Sequence, residues 1–275
     1  MTPPLRSVLF VPAVNARAIE KARGLACDAV VLDLEDAVGP DQKDGARQAA
    51  LEALEAGFPG KVAGVRVNGP DTPWGQADLA AMAGARCDAV VLPKVDSAEA
   101  VTAARAATGK PLWLMIETCQ GLLNLKDIAV AEGAQALVLG QNDLAVEMRC
   151  RPGPDRPPLQ PAMSAIVTAA RAHDLAALDG VYNAFQDAEG FAAECRQGRD
   201  FGFDGKTLIH PAQVEAANAA FSPTAEEVAW ARAVADAYAA PGAEAAGVLR
   251  VEGRMVERLH LAEARRILAL TRREA

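Results

Sequence analysis

The chain has 275 residues, a formal net charge of −8 and a hydrophobic fraction of 51%. These values are typical of a globular protein large enough to bury a substantial core. Its basic residues form no stripe interleaved with aromatic side chains, so nucleic acid is not an expected partner. No apolar stretch approaches the length of a membrane span and no signal-peptide pattern opens the sequence, so we expect no membrane insertion.

Five cysteines are scattered among apolar segments without Cys-x-x-Cys spacing. This distribution predicts reduced thiols in a cytoplasmic protein. Cys119 follows Glu117 by two residues, but none of the three histidines lies near it in the sequence. A catalytic cysteine is therefore not expected.

Eight short apolar runs follow one another along the chain, and each ends in a polar or charged residue. Between them lie alanine-rich segments with helical periodicity, as in Lys43 to Ala56, Trp74 to Ala85, Ser97 to Ala107 and Asp187 to Arg199. Strands that alternate with helices pair in parallel, and eight such units predict a (β/α)8 barrel, an α/β fold of the TIM-barrel type. The predicted strands are Ser7 to Val11, Ala29 to Leu34, Gly64 to Val67, Ala89 to Leu92, Leu112 to Ile116, Ala136 to Leu139, Ala176 to Val181 and Lys206 to Ile209.

The pattern changes near the C-terminus. Thr224 to Ala240 has the pattern of an amphipathic helix, opened by a Thr cap and acidic residues. Pro241 to Gly247 has the composition of a linker, and Gly247 to Ala275 predicts a short extended piece followed by a basic helix. We therefore expect a barrel over residues 1–222 and a C-terminal extension of helices and a lid over residues 223–275.

The fifth apolar run is the clearest, because Leu112 to Thr118 is a buried-strand sequence that ends in the carboxylate of Glu117. Side chains alternate along a strand, so Met115 and Glu117 share one face. Catalytic groups of a (β/α)8 barrel lie at the C-terminal ends of its strands. The other strand ends supply further polar side chains, namely Glu35, Asp36, Arg66, Asn68, Lys94, Asn142, Asp143, Asp179, Tyr182 and His210.

Carboxylates that converge at one end of a barrel need a compensating charge. Two unit negative charges about 4 Å apart repel by roughly 4 kcal/mol at an effective dielectric constant of about 20, so they require a cation or a shared proton. An all-oxygen pair with open coordination positions favours Mg²⁺, and the lack of accompanying His or Cys spacing argues against zinc. The alternative for any single acid is a structural salt bridge to Arg66 or Lys94.

A series of motifs occurs along most of the chain. They are SVLFVP at 7–12, LDLEDAV at 32–38, VRVNG at 65–69, DTPWG at 71–75, LPKV at 92–95, ET at 117–118, GQNDLA at 140–145, DGVYNAF at 179–185 and GFDGKTLIHPAQ at 202–213. In this order they resemble the citrate lyase β-subunit group of the HpcH/HpaI aldolase superfamily. Within that group, the chain is most similar to the malyl-CoA lyases and (3S)-malyl-CoA thioesterases.

The resemblance implies a magnesium-dependent site that acts on a coenzyme A thioester. It implies that Glu117 and Asp143 bind Mg²⁺ and that Arg66 clamps a substrate carboxylate with its planar fork. Asn142 precedes a metal ligand and is expected either to orient it or to cap the following turn. Two further residues are expected to support the site indirectly, namely Asp36 and Lys94.

The resemblance also implies contacts with coenzyme A from the end of the first strand and the following helix, where Arg17 and Lys21 lie. It implies a homotrimer or homohexamer in which the C-terminal lid completes the site of a neighbouring subunit. In that lid, Glu257 stands where lyases of the family carry Asp, and the thioesterase-like members share the Glu. At residues 117–121, ETCQG replaces a motif that carries Arg in many relatives.

These departures favour hydrolysis of (3S)-malyl-CoA or a related 3-hydroxyacyl-CoA dicarboxylate, with retro-Claisen carbon–carbon cleavage through an enolate as the other activity of the site. Two alternatives stay open at this point. One is the β subunit of a multi-subunit citrate lyase, which acts on citryl-acyl-carrier protein. The other is a class II pyruvate aldolase, which uses free 2-oxo acids and needs no contacts with coenzyme A.

Overall fold

The computed structural model describes residues 4–240, 242–243 and 247–271. The chain divides between Phe221 and Ser222 into two compact units. The first unit contains the strands β1 Ser7–Pro12, β2 Ala29–Asp33, β3 Val62–Arg66, β4 Ala89–Leu92, β5 Leu112–Ile116, β6 Ala134–Leu139, β7 Ala176–Asp179 and β8 Gly205–Leu208. They form a closed parallel barrel in chain order, with β8 pairing back onto β1, which confirms the predicted (β/α)8 fold.

Alternate residues of the strands build two apolar layers. One set packs together inside the barrel and includes Val8, Val31, Val91, Trp113, Met115, Val138 and Leu178. The other set packs with the surrounding helices and includes Val30, Leu32, Val90, Leu114, Ile116 and Leu139. Because both faces are covered, these strands are aliphatic and β-branched runs without polar alternation. The same alternation directs Met115 and Glu117 toward the barrel axis.

Helices follow the strands around the first unit. They are α1 Ala16–Arg23, α2 Lys43–Ala56, α3 Gly75–Gly84, α4 Ala98–Thr108, α5 Cys119–Leu123, α6 Leu125–Val130, α7 Gln141–Glu147, α8 Gln160–Ala172, α9 Ala188–Phe201 and α10 Val214–Phe221. The side chains of Asn15, Ser97 and Asp187 cap the N-termini of α1, α4 and α9. Gly109 and Gly202 end α4 and α9 in the left-handed conformation, which an L residue adopts only at a cost.

Four strands, β2, β3, β7 and β8, end one or two residues earlier than their apolar runs predicted, and hydrogen bonds explain the ends of β2 and β7. β2 ends at Asp33 rather than at Leu34, because the Asp33 carboxylate accepts hydrogen bonds from the main-chain nitrogens of Glu35 and Ala37. β7 ends at Asp179, where the next main-chain N–H donates to the Asp179 carboxylate instead of to a strand. In both cases an acidic side chain turns the chain at the mouth of the barrel.

The proline-rich segment from Pro152 to Pro161 is exposed only in part. Gly153 and Asp155 lie at the surface, but Arg156 and Leu159 are buried. A short 3₁₀ turn over Pro157–Leu159 leads from this segment into α8. The buried Arg156 fixes the segment to the barrel through contacts described below.

The second unit contains α11 Ala225–Ala239, the antiparallel hairpin of β9 Val248–Val251 and β10 Arg254–Glu257, and α12 Arg258–Thr271. Thr224 caps α11 in a capping box, as the sequence predicts. Apolar side chains of both helices and the hairpin form its core, among them Ala231, Val234, Tyr238, Val251 and Val256. Most of the predicted linker from Pro241 to Gly247 lies outside the described residues. Within the described residues, no helix is both long and apolar enough to cross a membrane.

Candidate active site

A cavity of about 360 Å³ opens at the C-terminal ends of the barrel strands. Because the strands are parallel, the residues that follow them meet at one mouth. Five residues predicted from the sequence line this cavity together, namely Asp36, Arg66, Glu117, Asn142 and Asp143. The structure therefore brings these five side chains to one site, although the role of each is not defined by position alone.

Glu117 follows β5 directly and is 2% exposed. Its Oε1 accepts a 2.7 Å hydrogen bond from the main-chain nitrogen of Lys94. Burial raises the pKa of Glu117 to about 7, and the negative charges of Glu35 and Asp143 add to the rise. A side chain at Gly140 would collide with Glu117, so the glycine after β6 leaves the space that this carboxylate occupies. Glu117 is thus a buried acid, fixed in position, whose surroundings disfavour its negative charge.

Lys94 follows β4 with a φ of +49°, a left-handed conformation that is uncommon for a residue with a side chain. Its Nζ lies 2.7 Å from Oε1 of Glu35 and 3.8 Å from Oδ1 of Asp143. Burial disfavours the ammonium form, but the hydrogen bond and charge of Glu35 outweigh burial and raise the pKa of Lys94. Lys94 therefore contributes its main chain to one carboxylate of the site and its positive charge to others.

Glu35 is the second buried acid at this mouth. Burial raises its pKa, against the opposing charges of Arg66 and Lys94. Its Oε2 lies 3.0 Å from Nη1 of Arg66, yet this oxygen is buried and receives no hydrogen bond from a described residue. This oxygen is therefore paired with the charge of Arg66 without a hydrogen bond.

Arg66 is the last residue of β3, and its guanidinium fork is already engaged. Its Nε and Nη2 lie 2.7 and 2.6 Å from the two carboxylate oxygens of Asp33, the last residue of β2. Its Nη1 lies 3.9 Å from Sδ of Met115, which also lines the cavity. The fork predicted for a substrate carboxylate thus binds Asp33, and the remaining nitrogen, Nη1, lies 3.0 Å from Oε2 of Glu35 and 3.6 Å from Oδ2 of Asp36.

Two asparagines form a reciprocal pair beside the acids. Nδ2 of Asn183 donates to Oδ1 of Asn142 at 2.9 Å, and Nδ2 of Asn142 lies 3.3 Å from Oδ1 of Asn183. The pair joins the first turn of α7 to the loop after β7, immediately before Asp143. Asn142 is thereby held by a side chain of another strand end, and it caps no helix terminus in this structure.

The acidic cluster fits a small hard cation. Asp33, Asp36, Glu117 and Asp143 line the cavity, and the cations that contact these acids and the neighbouring Glu35 are Arg66 and Lys94. Burial and the neighbouring carboxylates raise the pKa of Glu117, so a bound cation would stabilise its charged form. Within the described residues, no group of three or more His, Cys, Asp or Glu side chains is arranged around a metal position. A pair of carboxylates with remaining positions open to water and substrate suits Mg²⁺.

Other predicted residues belong to α1, to the second unit and to the turn after β8. Arg17 and Lys21 are exposed on α1, away from the cavity lining. Glu257 is half-buried at the end of β10 in the second unit, where its main-chain nitrogen donates to Nδ1 of His260. His210 caps a 3₁₀ turn and stacks on Phe185 at 4.5 Å between ring centroids, which is a structural role.

Three residues of this region were not singled out by the sequence patterns. Asp33 lies inside the motif at 32–38 and Asn183 inside the motif at 179–185, so their positions in the sequence carried the available signal. No sequence signal marked Arg156, because it lies in a proline-rich segment with the composition of an exposed loop. Asp179 was predicted at the mouth but is fully buried among cations, below the cavity lining.

The fold and the acid-rich cavity define a (β/α)8-barrel protein with a candidate divalent-cation site at the C-terminal ends of its strands. The chain belongs to the HpcH/HpaI aldolase/citrate lyase family, whose model matches residues 6–211. This confirms the resemblance inferred from the motifs.

Relatives match almost the whole chain. A (3S)-malyl-CoA thioesterase of Cereibacter sphaeroides (strain KD131 / KCTC 12085) is 50% identical over 97% of this chain and 94% of that protein. A citrate lyase subunit beta of Leuconostoc mesenteroides subsp. cremoris is 34% identical over 96% of this chain and 92% of that protein. The structure of the protein CitE of Mycobacterium tuberculosis in complex with magnesium, acetoacetate and coenzyme A is similar with a TM-score of 0.80 and 31% identity, covering 97% of both chains.

Proposed function

We propose that the protein is a Mg²⁺-dependent enzyme of coenzyme A thioesters that acts on (3S)-malyl-CoA or a related 3-hydroxyacyl-CoA dicarboxylate, with thioester hydrolysis favoured over carbon–carbon cleavage. The observation that carries this proposal is the 50% identity with a (3S)-malyl-CoA thioesterase over 97% of the chain. The acid-rich cavity at the barrel mouth supports it, since it combines a candidate cation site with a guanidinium group.

The size of the cavity supports a short acyl group. A volume of about 360 Å³ accommodates a four-carbon dicarboxylic acyl group, whereas a complete coenzyme A must extend beyond it. We propose that the exposed Arg17 and Lys21 of α1 attract the anionic part of coenzyme A, because this helix starts at the same mouth of the barrel.

Glu117 and Asp143 are the residues proposed to hold Mg²⁺, which is present in the CitE complex with acetoacetate and coenzyme A. When bound, the ion would supply positive charge beside the carboxylate and the carbonyl or hydroxyl oxygen of a substrate. Nη1 of Arg66 is the proposed donor to the substrate carboxylate, since the other nitrogens of its fork bind Asp33. Asp36 and Asn142 line the cavity and are proposed to position the acyl group.

Glu257 is proposed as an acid or base carried by the C-terminal unit. Hydrolysis requires that water add to the thioester carbon as the carbon–sulfur bond breaks, and a carboxylate can accept the proton of that water. We propose a homotrimer or homohexamer in which this unit serves the site of a neighbouring subunit. Light scattering of the purified protein measures the subunit number, and a monomer would contradict this part of the proposal.

Incubation of the purified protein with Mg²⁺ and (3S)-malyl-CoA tests the function. Malate with free coenzyme A is the expected main product pair, and glyoxylate with acetyl-CoA would show the lyase activity. Release of neither pair would overturn the proposal. Activity confined to citryl-acyl-carrier protein in the presence of partner subunits would identify a citrate lyase β subunit, and aldol cleavage of free 2-oxo acids would identify a pyruvate aldolase.

A further inference from the structure

A buried network of charged and amide side chains lies next to the proposed metal site. At its centre Arg156, which is 2% exposed, makes a bidentate ion pair with Asp179 at 2.8 and 3.1 Å. Lys206 of β8 lies 2.8 Å from the same carboxylate and 2.8 Å from Glu194 of α9. The positive charges of Lys206 and Arg156 hold the pKa of Asp179 below its usual range despite complete burial. The network thus joins the segment before α8 to the end of β7, to β8 and to α9.

The network extends to the loop that carries the proposed metal ligand. Nη1 of Arg156 donates a 2.6 Å hydrogen bond to Oε1 of Gln141, the first residue of α7. Nε2 of Gln141 in turn donates to the main-chain oxygen of Val181 after β7. The next two residues of the chain are Asn142 and Asp143. The position of Asp143 is therefore coupled through one residue of helix to a guanidinium that is buried outside the cavity.

The backbone at Arg156 is also unusual. Its φ is +48°, a left-handed conformation that is unfavourable for a residue with a side chain. A glycine would avoid that cost, but only a long cationic fork can bind Asp179 and Gln141 together. Gly198 of α9 leaves room for the pair, because a Cβ there would lie 2.7 Å from Oδ2 of Asp179. The left-handed backbone of Arg156 and the lack of a side chain at Gly198 both allow the Arg156 guanidinium to bind Asp179.

We propose that Arg156 is a positioning residue. Asp179 anchors its guanidinium, and Gln141 transmits its position to Asn142 and Asp143 in the first turn of α7. Arg156 thereby sets the affinity of the site for a divalent cation. The inference rests on the proposed function, because it takes Asp143 as a metal ligand. Groups that orient metal ligands from behind commonly change metal affinity by about 10- to 100-fold when they are removed. A residue that only stabilised the barrel would leave that affinity unchanged in the folded protein.

Mn²⁺ binding to the intact protein tests the inference without any turnover. Free Mn²⁺ is measured by electron paramagnetic resonance for the wild type and for the Arg156→Lys and Gln141→Leu variants. Arg156→Lys keeps a cation beside Asp179 but loses the fork, whereas Gln141→Leu keeps the ion pair and removes the hydrogen bonds that join α7 to Arg156, Val181 and Glu194. The matched control is Arg6→Lys, which breaks a bidentate ion pair with Asp28 next to the start of β2 at the opposite end of the barrel.

We expect both Arg156→Lys and Gln141→Leu to raise the dissociation constant for Mn²⁺ about tenfold or more, and Arg6→Lys to leave it unchanged while lowering the melting temperature. Wild-type Mn²⁺ affinity in folded Gln141→Leu would overturn the inference. The Gln141→Leu variant still provides this test if Arg156→Lys does not fold. Wild-type protein that binds no Mn²⁺ would instead overturn the proposed metal site. The failure of the inference and that of the proposed function are therefore distinguishable.

Discussion

The main-chain nitrogen of Lys94 donates a 2.7 Å hydrogen bond to Oε1 of Glu117, so the residue after β4 fixes the carboxylate after β5. The left-handed backbone of Lys94 belongs to the same arrangement, in which its ammonium group contacts Glu35 at 2.7 Å. Residues held in such conformations concentrate at functional sites, because the surrounding structure must impose them. One lysine thus contacts two buried acids, Glu117 of the cavity lining and Glu35.

Replacement of Lys94 tests this arrangement. Lys94→Met keeps the hydrogen bond from the main chain but removes the charge beside Glu35, so kcat/KM for (3S)-malyl-CoA should fall about tenfold or more. Lys94→Arg keeps a cation and should retain more activity than Lys94→Met. Steady-state kinetics at saturating Mg²⁺ make the comparison. Wild-type kcat/KM in Lys94→Met would show that the lysine serves only the fold.

The proposed metal pair is tested by Asp143→Ala. The side chain of Asp143 is 40% exposed, so its removal should leave the melting temperature near that of the wild type while Mn²⁺ binding and turnover are lost. Asp36→Ala is the matched control, because this carboxylate is 57% exposed at the same mouth but is not a proposed ligand. It should retain Mn²⁺ binding. Full Mg²⁺-dependent activity of Asp143→Ala would exclude Asp143 as a ligand.

Local sequence patterns were sufficient for the architecture. The apolar runs at Ala89–Leu92 and Leu112–Ile116 and the periodic segment at Lys43–Ala56 form elements with the bounds that were predicted. Strands buried on both faces are recognisable because they are short and uniformly apolar, and the intervening helices set their parallel direction. The ends of β2 and β7 were missed because acidic side chains end them, through hydrogen bonds that an apolar run does not encode.

Several residues of the site were predictable from the sequence, but Asp33 and Asn183 and the pairings between side chains were not. Which residues follow the strands can be read from the sequence, and this placed Arg66 and Glu117 at one mouth. The partner of Arg66 depends on the neighbouring strand, since Asp33 and Arg66 meet through the register of β2 with β3. The buried pair of Arg156 and Asp179 joins residues 23 apart through a loop whose composition predicts exposure. Such contacts require the tertiary fold.

Arg66→Lys tests the guanidinium at the cavity wall. Lysine keeps the charge but cannot bind both oxygens of Asp33 and also present a nitrogen to the cavity. We expect a loss in kcat/KM that corresponds to about 2 kcal/mol or more in transition-state stabilisation. Asp33→Asn separates the two roles of Arg66, because it weakens the ion pair without touching a substrate donor. A loss in Arg66→Lys no greater than that in Asp33→Asn would mean that Arg66 acts only as the partner of Asp33.

The raised pKa of Glu117 predicts how the stability of the Mg²⁺-free protein depends on pH. The unfolded chain loses the Glu117 proton near its ordinary pKa of 4.5, whereas the folded protein holds it until about pH 7. Between these pH values the folded state binds more protons than the unfolded chain. The stabilisation of the folded state by Glu117 is therefore complete below pH 4.5 and is lost as the pH rises through about 7. The difference between the two pKa values of Glu117 corresponds to about 3 kcal/mol in the free energy of unfolding.

Urea unfolding in EDTA at about pH 5 and about pH 8 measures this contribution. Glu117→Gln provides the reference, because it removes the titration while keeping the size of the side chain. The decline in free energy of unfolding should be smaller in Glu117→Gln than in the wild type, and Mg²⁺ at the higher pH should stabilise only the wild type. Equal declines in both proteins would contradict the assigned pKa.

The C-terminal unit carries the last prediction. Glu257 ends β10 and is half-buried, between the exposed Arg254 to Met255 stretch and the start of α12. If its carboxylate accepts the proton of the attacking water, Glu257→Ala should lose hydrolysis while keeping Mn²⁺ binding. Glu257→Asp shortens the side chain and should shift products from malate and coenzyme A toward glyoxylate and acetyl-CoA. Unchanged rate and product ratio in Glu257→Ala would exclude a catalytic role.

Hybrid oligomers show whether Glu257 serves a neighbouring subunit. The Glu257→Ala protein has an intact Arg66, and the Arg66→Lys protein has an intact Glu257, so each lacks a different part of the proposed site. If the two parts of one site come from different subunits, mixed oligomers contain some sites in which both residues are wild type, and activity should recover on mixing. If both parts come from the same subunit, every site in the mixture keeps one defect. Mass spectrometry of the mixture confirms subunit exchange, and absence of recovery in exchanged oligomers would show that Glu257 does not act on a neighbour.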